Sequence, residues 1–272
     1  MSSHKQALTL SIVIPVYNEE RHLAACLDSI TKQSEKPDEV IVVDNNSTDK
    51  TAEVARSYGV VTSVICEPRQ GIVFARNLGF NSAKSDIIGR IDADTALPKN
   101  WVKHIKSFYD EGNHQNSAWT GGGIPVNIRC PNFSGWALGQ IVFRVNRLLL
   151  GHYIVWGANM AILSSSWKAV EHDVCLRTDI HEDLDLAIHL SRGGVEIVYQ
   201  EGVKIHFTMR RVRSGRRALL QNLLLWPRTL KVHGKKTWVI GWLGAIFLFT
   251  ISPIAQIAEW IALGLGRKAI KE

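Results

Sequence analysis

Apolar positions in the first hundred residues follow two alternating rhythms. Near-continuous apolar runs at 10–16, 40–43, 60–66 and 86–91 have the length and β-branched content of strands buried on both faces. Between them, 19–33, 51–58 and 71–84 carry apolar residues at helical spacing, with Leu23, Leu27 and Ile30 on one face of the first. Asn18 is placed to cap that helix, and Ser47, Thr48 or Asp49 to cap the second, which Gly59 stops. Pro98 opens a further helix at its first position. Strand–helix alternation of this kind predicts an α/β fold with a mostly parallel sheet covered by helices, Rossmann-like in outline.

Beyond residue 115 the pattern loosens. Gly121-Gly122-Gly123 precedes an expected strand at 124–128, and residues 136–150 mix apolar positions with Arg144 and Arg147. A regular element is expected at 182–191 and a strand at 195–199. The composition then changes. Between Lys204 and Lys236 there are ten Lys or Arg and no Asp or Glu. An apolar tail follows, uninterrupted over 238–251, broken at Pro253, and flanked on its far side by Arg267, Lys268 and Lys271. The uninterrupted part is shorter than the roughly 20 residues of a simple span. The basic flanks predict a hairpin or re-entrant insertion, with a kinked span and a buried helical pair as the other packings; Trp238, Trp242 and Trp260 suit an interfacial belt. The expected division is therefore a catalytic unit over 1–209 and a basic, helical, membrane-associating segment over 210–272.

The chain has 272 residues, enough for a sizeable core, and a formal charge of +7. That balance suits a phosphate-bearing ligand, nucleic acid or an anionic membrane without choosing among them. Cys26, Cys66, Cys130 and Cys175 lie far apart with no CxxC pair, which predicts buried, reduced thiols rather than disulfides or zinc. The first residues lack the apolar core of a signal peptide, so the catalytic part is expected to stay in the cytosol.

In parallel sheets ligands gather at the carboxyl ends of the strands, and three polar clusters fall there: Tyr17-Asn18-Glu19, Asp44-Asn45-Asn46 and Asp92-Ala93-Asp94. On an extended chain Asp92 and Asp94 point the same way, and a hard divalent cation relieves their repulsion. A polar turn after a strand accounts for the same residues without a metal. No GxGxxG follows the first strand and no GxxxxGK[ST] occurs, which disfavours dinucleotide and P-loop binding.

The ordered segments SIVIPVYNEE, VIVVDNNSTDKT, GIVFARNLGF, RIDADT and HEDLDLAIHLSRGG, over residues 8 to 210, resemble the motifs of family 2 glycosyltransferases of the GT-A fold. The resemblance implies that Pro15, Tyr17, Glu19, Asp44 and Asn45 hold the base and ribose of a UDP- or GDP-linked sugar, with Arg76, Asn77 and Asp92 also near the nucleotide. Many members have a second aspartate where this chain has Asn45. It further implies that Asp94, with Asp92, binds Mg²⁺ or Mn²⁺, with His206 in a region where some GT-A enzymes add a histidine ligand. Asp183, beside Glu182, matches the family's base. An acidic first turn, with Asp179 and Glu182 as a capping pair, explains those residues without catalysis; the combination with Asp92-Ala93-Asp94 favours Asp183 as the base. Trp156, Gly157 and Asn159 match the acceptor-side loop. The Gln-x-x-Arg-Trp motif of processive synthases is absent, which favours single addition. The expected activity is inverting, metal-dependent sugar transfer to a lipid-linked or cell-surface glycan at the cytoplasmic face of a membrane, with no nucleic acid partner. A polyprenyl-phosphate sugar synthase, a nucleotidyltransferase and a non-enzymatic nucleotide-sugar-binding scaffold are the alternatives.

Overall fold

The computed structural model describes residues 7–111, 114–126, 135–136, 139–208, 216–246 and 249–250. Its strands are β1 (Leu10–Val16), β2 (Glu39–Asp44), β3 (Ser63–Cys66), β4 (Ile87–Arg90), β5 (Thr95–Ala96), β6 (Ser117–Pro125), β7 (Met160–Leu163) and β8 (Glu196–Phe207). The helices are α1 (Leu23–Thr31), α2 (Thr51–Ser57), α3 (Ile72–Ser82), α4 (Trp101–Asp110), α5 (Asn146–Leu150), α6 (Ser164–Val170), α7 (Glu182–Arg192) and α8 (Arg216–Val232), with a π-helical stretch Gln140–Val145 before α5. The strands form one sheet in the order β3-β2-β1-β4-β7-β6-β8-β5.

Strand alternation sorts the side chains into two cores. Ile12, Ile14, Val40, Val42 and Ile87 face α1, α2 and α4; Val13, Ile41, Val43 and Ile88 face α3, α6 and α7. The same alternation puts Arg90 on the side of Ile88, toward α7. Residues 87–90 are all buried, so a full positive charge is carried into the interior at the end of β4.

The sheet is mostly parallel, as expected: β3, β2, β1 and β4 run together and β6 pairs parallel with β8, whereas β7 is inserted antiparallel between β4 and β6 and short β5 pairs antiparallel with β8. The glycine triplet does not precede a strand but lies within β6. There is no room for side chains: a Cβ on Gly121 would sit 2.5 Å from Asn159 Nδ2, and one on Gly123 would sit 2.6 Å from the Trp156 ring. β8 extends well past Tyr199 because its later residues pair with β6 and β5.

Asn18 does not cap α1. It adopts a left-handed backbone (φ 53°), which Asn tolerates, and its Oδ1 accepts the Thr48 N–H at 2.8 Å. The bond ties the turn after β1 to the turn after β2. Asp49 does serve the start of α2, accepting the Thr51 N–H at 3.0 Å. Asp179 pairs with Arg177 instead of capping α7, whose N-terminal neighbour is His181.

Part of the segment expected to start at residue 210 packs against the rest of the fold. Within α8, Leu230 and Thr229 are fully buried, Thr229 Oγ1 accepts the His181 N–H at 2.8 Å, and Trp226 Nε1 donates to Asn146 Oδ1. Residues 238–246 are helical, but among the described residues no helix is long and apolar enough to cross a membrane. Most of the expected basic cluster at 210–217, Cys130, and the tail from 251 on, with Pro253 and Trp260, lie outside the described residues. Of the other cysteines, Cys26 is buried, Cys175 half-buried and Cys66 exposed, so only Cys26 fits the expected buried thiol.

Candidate functional site

The carboxyl ends of β1, β2 and β4, the start of α7 and Asn222 of α8 line a cavity of about 790 Å³, within the usual range for small-molecule sites. Of the residues singled out from sequence, Pro15, Tyr17, Glu19, Asn45, Asp92, Asp94, Trp156, Glu182 and Asp183 line it. Tyr17 is half exposed at the rim, and Trp156 sits edge-on between Phe143 and Phe207.

The floor is organised by Arg90. Its Nη1 donates to Asp183 Oδ1 at 2.7 Å, and its Nη2 lies 3.2 Å from both Asp92 Oδ1 and Glu182 Oε1. The guanidinium is buried. Burial disfavours its charge, but Asp183, Asp92 and Glu182 outweigh that and hold its pKa above the ordinary value. The second oxygen of Asp183 accepts the Gly157 N–H at 2.8 Å. Burial, then the neighbouring Glu182 charge, pushes the Asp183 carboxyl above the usual range, against the pull of Arg90. Gly157 permits this packing, because a Cβ there would sit 2.3 Å from the guanidinium carbon of Arg90.

Arg90 had no assigned role in the sequence reading. The signal was present: a charged residue inside a short buried strand must find partners, and acids were already expected at the strand end and at the start of α7.

Several expected site residues lie elsewhere. Arg76 is fully buried behind the cavity wall, where Nη1 donates to the Glu182 carbonyl at 2.9 Å and Nε and Nη2 both reach Asn77 Oδ1. Burial pushes its pKa down to about 10, which still leaves it charged at neutral pH. Arg76 and Asn77 thus brace the first turn of α7 and offer the cavity no donor. Asp44 accepts the Ser47 N–H at 3.1 Å, closing the turn after β2. Asn159 is fully buried and bonds Trp101, Gly122 and Val203. His206 is exposed, whereas its neighbour Phe207 lines the cavity; strand alternation turns the histidine to the other face. Asn45 reaches the cavity, but its amide holds the backbone of Glu67, Arg69 and Gly71.

The lining holds five carboxylates, from Glu19, Asp92, Asp94, Glu182 and Asp183, and among the described lining residues Arg90 alone is a permanent cation. So acidic a surface repels an anion unless a cation enters with it. The donor set is all oxygen, and two of its carboxylates are spaced i, i+2. This suits a hard divalent ion such as Mg²⁺ or Mn²⁺, and the residues therefore fit the expected metal.

Comparisons with known proteins bear on the family and the fold. A family model described as Glycosyl transferase family 2 matches residues 11–166. The glycosyltransferase AglE of Haloferax volcanii is 35% identical over 100 residues, which cover 35% of this chain and 33% of that protein. An undecaprenyl-phosphate 4-deoxy-4-formamido-L-arabinose transferase of Edwardsiella ictaluri is 34% identical over 125 residues, covering 41% and 37%. The matched stretch thus spans about a third of each of these relatives. Among solved structures, the mannosyltransferase PcManGT of Pyrobaculum calidifontis, in complex with GDP-Man and Mn²⁺, superposes with a TM-score of 0.61 at 19% identity, covering 98% of this chain and 82% of that one. The likeness establishes the fold.

Proposed function

The chain belongs to glycosyl transferase family 2, and on that premise we propose that it moves a sugar, with inversion, from a nucleoside diphosphate sugar to a hydroxyl of a lipid-linked or surface glycan. The observation that carries the reading is the acidic cavity, lined by five carboxylates, three of which share Arg90. Asp94 and Asp92 would hold Mg²⁺ or Mn²⁺; such an ion, when bound, neutralises charge on the departing diphosphate.

The remaining work falls to the chain's own groups. Tyr17, at the rim, offers a ring face to the base, beside Pro15 and Glu19. Asn45 shapes this wall through the loop it ties down, and the base stays unassigned between uracil and guanine. Arg76 and Asn77 act behind the wall by bracing α7. Trp156 offers an apolar face to the acceptor sugar. Asp183 takes the proton from the attacking hydroxyl: a carboxylate has about four lone-pair sites, and the bonds from Arg90 and Gly157 use two while fixing its orientation. Its raised pKa makes it a stronger base than an ordinary aspartate.

Similarity to the undecaprenyl-phosphate transferase favours a second reading, in which a polyprenyl phosphate is the acceptor. That nucleophile is already an anion and needs no base.

We place the reaction at the cytoplasmic face of a membrane. In support, Val239, Ile240, Leu243 and Ile246 are exposed along one side of helical residues 238–246, just after the stretch from Lys204 to Lys236 that carries only basic charges. An exposed apolar helix face next to basic residues suits an anionic lipid surface.

Both parts are tested in one incubation of the full chain with a panel of nucleotide sugars, Mn²⁺ or Mg²⁺, and vesicles made from bacterial membrane lipid. Free nucleoside diphosphate is expected from one donor, dependent on metal and lipid, with the protein co-sedimenting with the vesicles. Pyrophosphate release from a nucleoside triphosphate, or binding without turnover for every donor, overturns the transferase reading. Turnover without co-sedimentation overturns the membrane placement alone.

A further inference from the structure

We infer that Cys175, Asp185, His189 and His233 form a zinc site that pins α8 to α7, separate from the catalytic cavity. One ligand atom from each of the four lies within 4.8 Å of all the others. Asp185 and His189 are spaced i, i+4 on one face of α7; Cys175 comes from the loop before it and His233 from the residue just past α8. His233 Nε2 is 2.8 Å and His189 Nε2 3.6 Å from Asp185 Oδ1. The two imidazoles meet edge to face, with centroids 5.0 Å apart.

Three features separate this cluster from an ordinary hydrogen-bonded knot. First, His189 Nε2 is buried and has no hydrogen-bond partner, although it points at the Asp185 carboxylate. A buried polar atom left in this way normally has a ligand. Second, Asp185 Oδ2 accepts the Cys175 N–H at 3.0 Å, which holds the Cys175 end of the cluster against the carboxylate without using Oδ1. Third, one thiolate and one carboxylate match the charge of a divalent ion, and that carboxylate, Asp185, is fully buried.

The donor set selects the metal. One sulfur, two nitrogens and one oxygen are borderline-soft and match tetrahedral Zn²⁺, unlike the all-oxygen set of the catalytic cavity. Bond lengths of about 2.0–2.3 Å imply ligand–ligand separations of about 3.3–3.8 Å, so closing the cluster takes small side-chain adjustments. On binding, the Cys175 thiol releases one proton. His233 presents a bare Nε2 and carries its hydrogen on Nδ1. The exposed Arg192, whose Nη1 now lies 3.2 Å from that Nδ1, then keeps its bond to the His233 carbonyl.

The expected consequence is structural. The start of α7 presents Glu182 and Asp183 to the cavity, and α8 supplies Asn222 to the lining and Thr229 to the His181 N–H. A metal joining the two helices fixes that wall.

The test uses the full chain purified without chelator. Elemental analysis is expected to find about one zinc per chain, kept in Asp94→Ala and falling about tenfold or more in Cys175→Ser/His233→Ala. Independently of whether that variant folds, Co²⁺ added to metal-free wild-type protein is expected to give visible tetrahedral bands with a thiolate charge-transfer band, and Zn²⁺ is expected to raise Tm. Zinc content unchanged in the double variant overturns the site. So does wild-type protein with no bound zinc, no Co²⁺ spectrum and no rise in Tm.

Discussion

Replacing Asp183 by Asn is expected to lower kcat by about 10²- to 10⁴-fold, with KM for the nucleotide sugar nearly unchanged. The substitution keeps the size of the side chain and one acceptor oxygen, but it removes the charge that draws the proton. Arg90 retains Asp92 and Glu182 as partners. Steady-state kinetics with a hydroxyl acceptor, accompanied by a thermal melt to show that the fold persists, reads the effect. Glu182→Gln is the control; Glu182 also contacts Arg90 but is not assigned the proton, so its kcat should fall less. A loss under about tenfold for Asp183→Asn would remove it from proton transfer. That outcome favours an acceptor that arrives as an anion, as a polyprenyl phosphate does.

The second large effect concerns stability. Arg90→Ala should destabilise the fold by about 3–5 kcal/mol, because it leaves buried Asp183 and half-buried Glu182 and Asp92 without their shared cation. For a chain of this size the loss corresponds to a fall in Tm of about 6–20 °C. Activity should vanish as well, since Asp183 loses one of the two bonds that orient it. The companion Arg90→Ala/Asp183→Asn should recover part of the stability, because the stranded charge has gone, but none of the activity. Equal melting temperatures for wild type and Arg90→Ala would show that the acids do not need this cation.

The halves of the molecule differ in how much their sequence discloses. β1, β2 and β4 are readable because they are buried on both faces and so appear as unbroken apolar runs. The motif residues at their carboxyl ends reach the cavity for the same reason: parallel strands all deliver their ends to one edge. Register beyond β4 is set by pairing between distant segments. The antiparallel insertion of β7 and the face on which His206 lies are therefore not local properties. The glycines of β6 read as preceding a strand rather than lying in it because the bulky groups that exclude side chains there, Trp156 and Asn159, come from another part of the chain. Arg76 was assigned to the ligand through its motif, yet its position one turn into α3, on the buried side, directs it to the Glu182 carbonyl. α8 resembles a membrane segment in composition, but Thr229 and Leu230 give it a place against α7. The cysteine and histidines at 175, 189 and 233 have no metal-site spacing, since three separate elements bring them together.

The central claim is that paired acids after β4 recruit a divalent ion to hold a diphosphate. Calorimetric titration of UDP and GDP, with Mn²⁺ and with chelator, tests it most directly. For one nucleotide, wild-type protein should bind about tenfold or more tightly with metal, and Asp94→Ala should abolish the difference while keeping its fold. Tight binding indifferent to metal, or a metal effect undiminished in Asp94→Ala, would contradict the claim.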